Sequence, residues 1–279
     1  MGVKTLLFTA LAMLAFAGNS LLCRVAFRDS EIDPASFTIL RLLAGALVLW
    51  LLHCLRNGLS APGGTWSSAV ALFVYALAFS YAYLHIDAGA GALLLFGAVQ
   101  LSMITWGVFK GERLHWLQLL GLSIAATGLL VLLLPGANTP ATSAAVLMLI
   151  SGVAWGVYSL LGRGAPNPLA ATAGNFLRTL PMVLLLAVPA LCWLKWDTVG
   201  VIYALLSGGL TSGVGYAIWY AALPGLSAMQ AASVQLSVPL LTGLAGSLLL
   251  AEALSSRLLA ASVMILGGIA LIMRVKSHA

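Results

Sequence analysis

Ala15-Phe16-Ala17-Gly18-Asn19-Ser20-Leu21-Leu22-Cys23-Arg24 returns in the second half of the chain as Ala154-Trp155-Gly156-Val157-Tyr158-Ser159-Leu160-Leu161-Gly162-Arg163. Five of the ten positions are identical, and both copies sit in long apolar runs that close on an arginine. Further matches follow in the same order. Leu40-Arg41 pairs with Leu177-Arg178, and Tyr81-Ala82 with Tyr216-Ala217. Val99-Gln100-Leu101-Ser102 pairs with Val234-Gln235-Leu236-Ser237, Glu112-x-Leu114 with Glu252-x-Leu254, and Gly128 with Gly268. Any one match is weak in so apolar a chain; their common order carries the reading of a unit present twice, in residues 1–135 and 136–279.

The 279 residues are 62% hydrophobic and 7% charged. Soluble domains carry about 25% charged residues, so a water-soluble globule is excluded. A helical span needs roughly 20 apolar residues. The runs are continuous and rich in Leu and Ala, not alternating, so they read as helices. Charges, Pro and Gly divide them into ten spans near 4–26, 34–55, 65–85, 88–109, 114–134, 141–162, 168–191, 198–221, 226–250 and 256–274. The uncharged 135–140 stretch links the halves. The N-terminal run resembles a signal peptide, but the repeat uses residues 15–24, so we expect it to be retained. Cys23, Cys54 and Cys192 are too few and too odd in number for a disulfide framework.

Five spans per half is an odd number, so the second half starts on the opposite side from the first. That is the inverted repeat of many secondary transporters. With both termini on one side, that side receives Lys4, Arg56, Lys110, Arg113, Arg163, Arg274 and Lys276. The other receives only Arg24, Arg28, Lys195 and Arg257. The positive-inside rule then puts both termini in the cytoplasm. The net charge of +6 reflects this bias, and no nucleic-acid partner is expected.

Ten spans in two inverted halves, the Gly111-Glu112-x-Leu114 turn, Gly121 and Gly128 in the span after it, and the Ala88-Gly89-Ala90-Gly91-Ala92 opening of the fourth span together resemble the drug/metabolite transporter superfamily, EamA branch. Within it the chain looks most like the YddG-type aromatic amino-acid exporters. The resemblance covers nearly the whole chain and implies a multi-pass bacterial inner-membrane protein. It implies a basket of ten helices, spans one to four and six to nine lining a central cavity, and export of amino acids or similar metabolites. The second copy departs from the pattern in having Ala251-Glu252 where the first has Gly111-Glu112.

The candidate site residues are polar or aromatic side chains deep in spans. Gln100 and Gln235 fall near mid-membrane, where an amide needs a partner. They read as cavity wall or as interhelical hydrogen bonds. Tyr75 and Phe79 are one helical turn apart, with Tyr83 continuing the face. Trp155 and Tyr158 share a face, opposite Phe16 and Asn19 in the repeat. Tyr216 and Ser237 complete the substrate-binding set. Trp106, Trp219 and Tyr220 read as interfacial anchors, and the histidines as interfacial tips. Rings with one polar edge suit an apolar side chain on a zwitterion.

Arg41 and Arg178 are basic residues well inside spans and need partners. The repeat suggests two gating ion pairs, Arg41 with Glu252 and Arg178 with Glu112. The Gly209–Gly213 pair reads as helix packing, and Pro181 and Pro239 as kinks. Every acid falls in a loop or at a span end, which favours facilitated diffusion over proton coupling. No catalytic or metal motif occurs, so neither enzyme activity nor a cofactor is expected. Proton-coupled efflux of cationic or aromatic drugs and a membrane-enzyme role are the alternative readings.

Overall fold

The computed structural model describes residues 2–111, 115–134, 140–162, 165–190, 194–226 and 234–274. All regular structure among them is helical. In chain order the helices are α1 (Val3–Asp29), α2 (Pro34–Asn57), α3 (Trp66–Tyr83), α4 (Ala88–Phe109), α5 (Trp116–Leu133), α6 (Thr142–Leu161) and α7 (Pro168–Ala190). Next come α8 (Thr198–Leu205), a π-helical segment (Leu206–Val214) and α9 (Gly215–Ala222), which run on as one crossing, Thr198–Gly225. α10 (Ser237–Leu250) and α11 (Ser256–Arg274) complete the fold. Among the described residues, eight helices are long and apolar enough to cross a membrane, and α10 and α11 are shorter apolar helices. Their outward faces carry exposed Leu and Val, such as Leu184, Leu185, Leu248 and Val263. This is the surface lipid requires.

The helix starts are written locally. Asp33 accepts from the backbone N–H groups of Ala35 and Ser36, with Pro34 at the first helical position of α2. Thr65 accepts from Ser68 N–H, and Asp197 from Gly200 N–H. These caps satisfy amides that no earlier turn can reach. His115 begins α5 with a reciprocal cap, its Nδ1 accepting from Leu117 N–H and its own N–H donating to Gln118. His53 is not an interfacial tip: it is 1% exposed and held between Ser60 O and Asn57 Nδ2.

The packing pairs come in exchanged couples. α2 packs on α7, α4 on α10, and α5 on α11. α3 packs on α6 as α1 does on α8, and α4 packs on α6 as α1 does on α10. The α5–α11 contact depends on glycine. A Cβ on Gly121 would lie 2.5 Å from Gly268 O, and one on Gly268 would lie 2.5 Å from Gly121 O. α2 meets the π segment as closely, for a Cβ on Gly208 would collide with the Arg41 carbonyl. Small residues let backbones touch where no hydrophobic effect drives helices together.

The chain is interrupted just before α10. Val234 and Gln235 are helical, Leu236 is a turn, and α10 starts at Ser237. Pro239 sits in the first turn of α10, where its missing N–H costs nothing. The expected interruption thus falls at Leu236, three residues before the proline. Both turns that precede the repeat's glutamates use positive φ: Gly111 at 94° and Ala251 at 52°. Alanine holds the left-handed conformation in the second copy, at a cost of roughly 1–2 kcal/mol.

Candidate functional site

The site is an aromatic cavity between the halves. Its rings are Phe16, Tyr75, Phe79, Phe96, Trp155 and Tyr216; its polar edge is Asn19, Ser20, Thr211, Ser212 and Gln235. The rings interlock. Tyr75 lies 4.8 Å from Trp155 and 5.4 Å from Phe79, and Tyr216 lies 5.3 Å from Trp155 and 5.8 Å from Phe16, centroid to centroid. Such tilted and edge-on contacts are favourable arrangements for π systems.

Asn19 organises the polar edge. Its Nδ2 donates to Tyr75 Oη at 3.2 Å. Its Oδ1 accepts from Ser207 Oγ at 2.7 Å and Thr211 Oγ1 at 3.4 Å. One α1 amide thereby joins α3 to the π segment. The wide π turn places Ser207 and Thr211 on the Asn19 side; π segments recur at functional sites.

The cavity holds only about 30 Å³, room for about two waters, whereas ligand pockets run to about 300–1,000 Å³. The structure is a closed one, with the rings folded onto each other. A larger recess of about 480 Å³ lies between α4, α5 and α6. It opens past the exposed Trp106, Phe109 and Val153 to the lipid-facing surface. Its wall is almost wholly aliphatic and aromatic, so the smaller cavity has the chemistry of a site.

One end of the bundle is bolted across the halves. Glu252 Oε1 accepts from Arg24 Nε at 2.9 Å, and its Oε2 from Ala88 N–H at 2.8 Å. Arg24 also donates to Asp87 Oδ1 at 2.9 Å and to Tyr83 O at 3.2 Å. Arg28 reaches Leu250 O, and Asp33 Oδ2 accepts from Lys195 N–H. This latch joins α1, the α3–α4 turn and the α10–α11 turn. Burial pushes the Glu252 carboxyl above the ordinary carboxylate range against the pull of the Arg24 hydrogen bond, and Asp87 adds to the rise.

Tyr75, Phe79, Trp155, Tyr216, Asn19 and Gln235 therefore meet at one cavity. Tyr158 stands behind it, its ring 5.3 Å from Trp155 and its hydroxyl accepting from Asn175 at 3.5 Å. Gln100 is half-buried and outside the lining, one turn from Phe96. Ser237 spends its hydroxyl on Val234 O at 2.6 Å, sealing the break before α10. Trp219 is 8% exposed and packs on Phe16, so it is no interfacial anchor, whereas Trp106 is 48% exposed.

The expected Arg41–Glu252 pair does not form. Arg24, on the last turns of α1, reaches the carboxylate, and Arg41 lies deeper. Arg178 donates through Nη1 to Gly63 O at 2.6 Å and Gly174 O at 3.0 Å; Glu112, its expected partner, lies outside the described residues. Ser20, Thr211 and Ser212 are lining residues the sequence reading missed. Their one sequence signal is hydroxyls amid the glycines of 207–215 and next to Asn19, a pattern equally typical of helix packing.

The EamA-like transporter family model matches this chain twice, over residues 3–134 and 142–274. An uncharacterized protein of Pseudomonas aeruginosa is 59% identical over 271 residues, 97% of this chain and 94% of that one. Two uncharacterized transporters of Archaeoglobus fulgidus are 27% and 29% identical, over 58% and 62% of this chain and 58% and 63% of theirs. A protein of known crystal structure shares the fold with a TM-score of 0.68 at 20% identity, covering 97% of this chain and 96% of its own. With its apolar crossings and a match to each half, the chain is a multi-pass membrane protein belonging to the EamA-like transporter family.

Proposed function

We propose that this transporter exports amino acids with aromatic or other apolar side chains across the bacterial inner membrane, by alternating access and without ion coupling. The observation that carries the reading is the cavity itself: five interlocked rings, with Phe96 beside them, around the Asn19 and Gln235 amides. Rings accept an apolar side chain, and the amides and hydroxyls accept the polar groups at its α-carbon. The two five-span halves are read as inverted, with both termini cytoplasmic. The exchanged packing couples and the double family match support the doubling, and the basic-residue bias supports the orientation.

Each described acid is a helix-terminal or loop residue, and none lines the cavity. That favours a facilitative carrier over one that relays protons through a mid-membrane carboxylate. It also weakens the cationic-drug reading, since no lining carboxylate would attract a cation. A catalytic role has no support in the lining, where no nucleophile sits beside a general base.

The test is counterflow in proteoliposomes with labelled phenylalanine, leucine, lysine and glutamate and no imposed ion gradient. We expect exchange of phenylalanine and leucine. Trp155→Ala and Tyr75→Ala should each lower it at least tenfold, because the Trp155 ring contacts three others and the Tyr75 ring two. Exchange of lysine alone, or an absolute requirement for a pH gradient, would overturn the proposal.

A further inference from the structure

Arg41 is a buried cation with no ion-pair partner among the described residues. It is 3% exposed, and its Nη1 is buried with no hydrogen-bond partner among the described residues. Its guanidinium carbon lies 4.9 Å from the centre of the Phe79 ring and 5.6 Å from that of Tyr75. Both rings line the cavity. Cation–π attraction contributes part of the stabilisation, but a charge inside a membrane protein calls for an anion or a set of carbonyls.

Of the six described acids, Glu31 is an exposed loop residue and the other five are engaged elsewhere. Glu252 and Asp87 hold Arg24, and Asp29 holds Arg28. Asp33 and Asp197 cap helices. The repeat sharpens the contrast. Arg178, at the matching position, has its Nη1 occupied by the Gly63 and Gly174 carbonyls. The same residue is thus sealed by backbone in one half and left bare in the other. Arg41 is also fixed in place, since the π segment packs against its backbone at Gly208.

We propose that Arg41 is the anion-binding group of the transport site and that the cargo carries a carboxylate which pairs with it when the Phe79 and Tyr75 rings part. The proposal rests on reading the aromatic cavity as the transport site, and it deepens that reading by requiring an acid group on the substrate. A planar guanidinium suits a carboxylate, which can accept two parallel hydrogen bonds from it. The rings that now shield Arg41 are those an apolar side chain would displace, so one ligand meets both features.

The experiment is calorimetric titration of the purified full-length protein with phenylacetate, phenylacetamide and phenethylamine. These share a ring and differ in charge. We expect phenylacetate to bind at least tenfold more tightly than the amide or the amine. Arg41→Gln should weaken phenylacetate at least tenfold, to the level of the amide, and Arg41→Lys should restore part of the difference. Where Arg41→Gln does not give a monodisperse protein, the wild-type series and Arg41→Lys decide. Equal binding of the three probes, binding of none, or unchanged preference in Arg41→Gln overturns the inference. The two proposals fail separately. Arg41-dependent binding of phenylacetate without amino-acid exchange removes the amino-acid reading and leaves the anion site. Amino-acid exchange with no preference for the acid over its amide does the reverse.

Discussion

Asn19 shows how much one side chain can hold. It satisfies Tyr75 and two hydroxyls of the π segment, so Asn19→Ala strands several buried polar groups at once. A stranded buried group costs about 1–3 kcal/mol. Thermal unfolding in detergent should show a loss of at least that size, and little change would mean that water replaces the amide. Asn19 was legible in the sequence because it sits one helical turn from Phe16 and repeats as Tyr158. Gln100 and Gln235 were less so. The two stretches share their letters, but only Gln235 borders the cavity, at the end of the short helical piece before Leu236. Duplication preserves identity at a position; packing decides what each copy faces. The Arg24–Glu252 contact was hidden for a related reason, since the sequence places Arg24, Arg28, Lys195 and Arg257 on that side, with Arg41 in a nearby span, and cannot rank their reach.

The spans were readable from apolar length and from the charges, prolines and glycines between them; the Asp33, Thr65 and Asp197 caps emerged only with the structure. The π segment was not readable either. Its Ser-Gly-Gly-Leu-Thr-Ser-Gly stretch reads as ordinary helix packing, and only the tertiary fit against α2 and Asn19 shows the wider turn. Gly208 is its tightest point. Gly208→Ala sets a methyl against the Arg41 backbone, and overpacking of this kind costs about 1–3 kcal/mol. Gly2→Ala, which meets nothing within 4 Å, is the control. Equal melting temperatures for the two variants would show that α2 and the π segment separate freely.

Across the whole molecule, the latch ties α1 and the start of α4 to the turn after α10, so its strength sets how easily that end opens. Burial raises the Glu252 carboxyl, which means the folded protein holds that proton more tightly than the unfolded chain does. Its contribution to stability is therefore fully present below the ordinary glutamate value of about 4.3 and is lost as pH rises through the raised one. Glu252→Gln cannot titrate, and its unfolding temperature should vary less over that window than that of the wild type. Identical pH slopes for the two proteins would rule out Glu252 as the source. The same substitution removes the ion pair but keeps an acceptor for Ala88 N–H, so it should speed counterflow if opening of the latch limits the rate.

The cramped interior has a further consequence. A space that admits about two waters cannot hold a continuous file of them from one surface to the other, and without such a file protons have no wire to hop along. A closed interior of this kind should leak no protons, and the expected outcome is that liposomes loaded with the protein hold an imposed voltage as long as empty ones do.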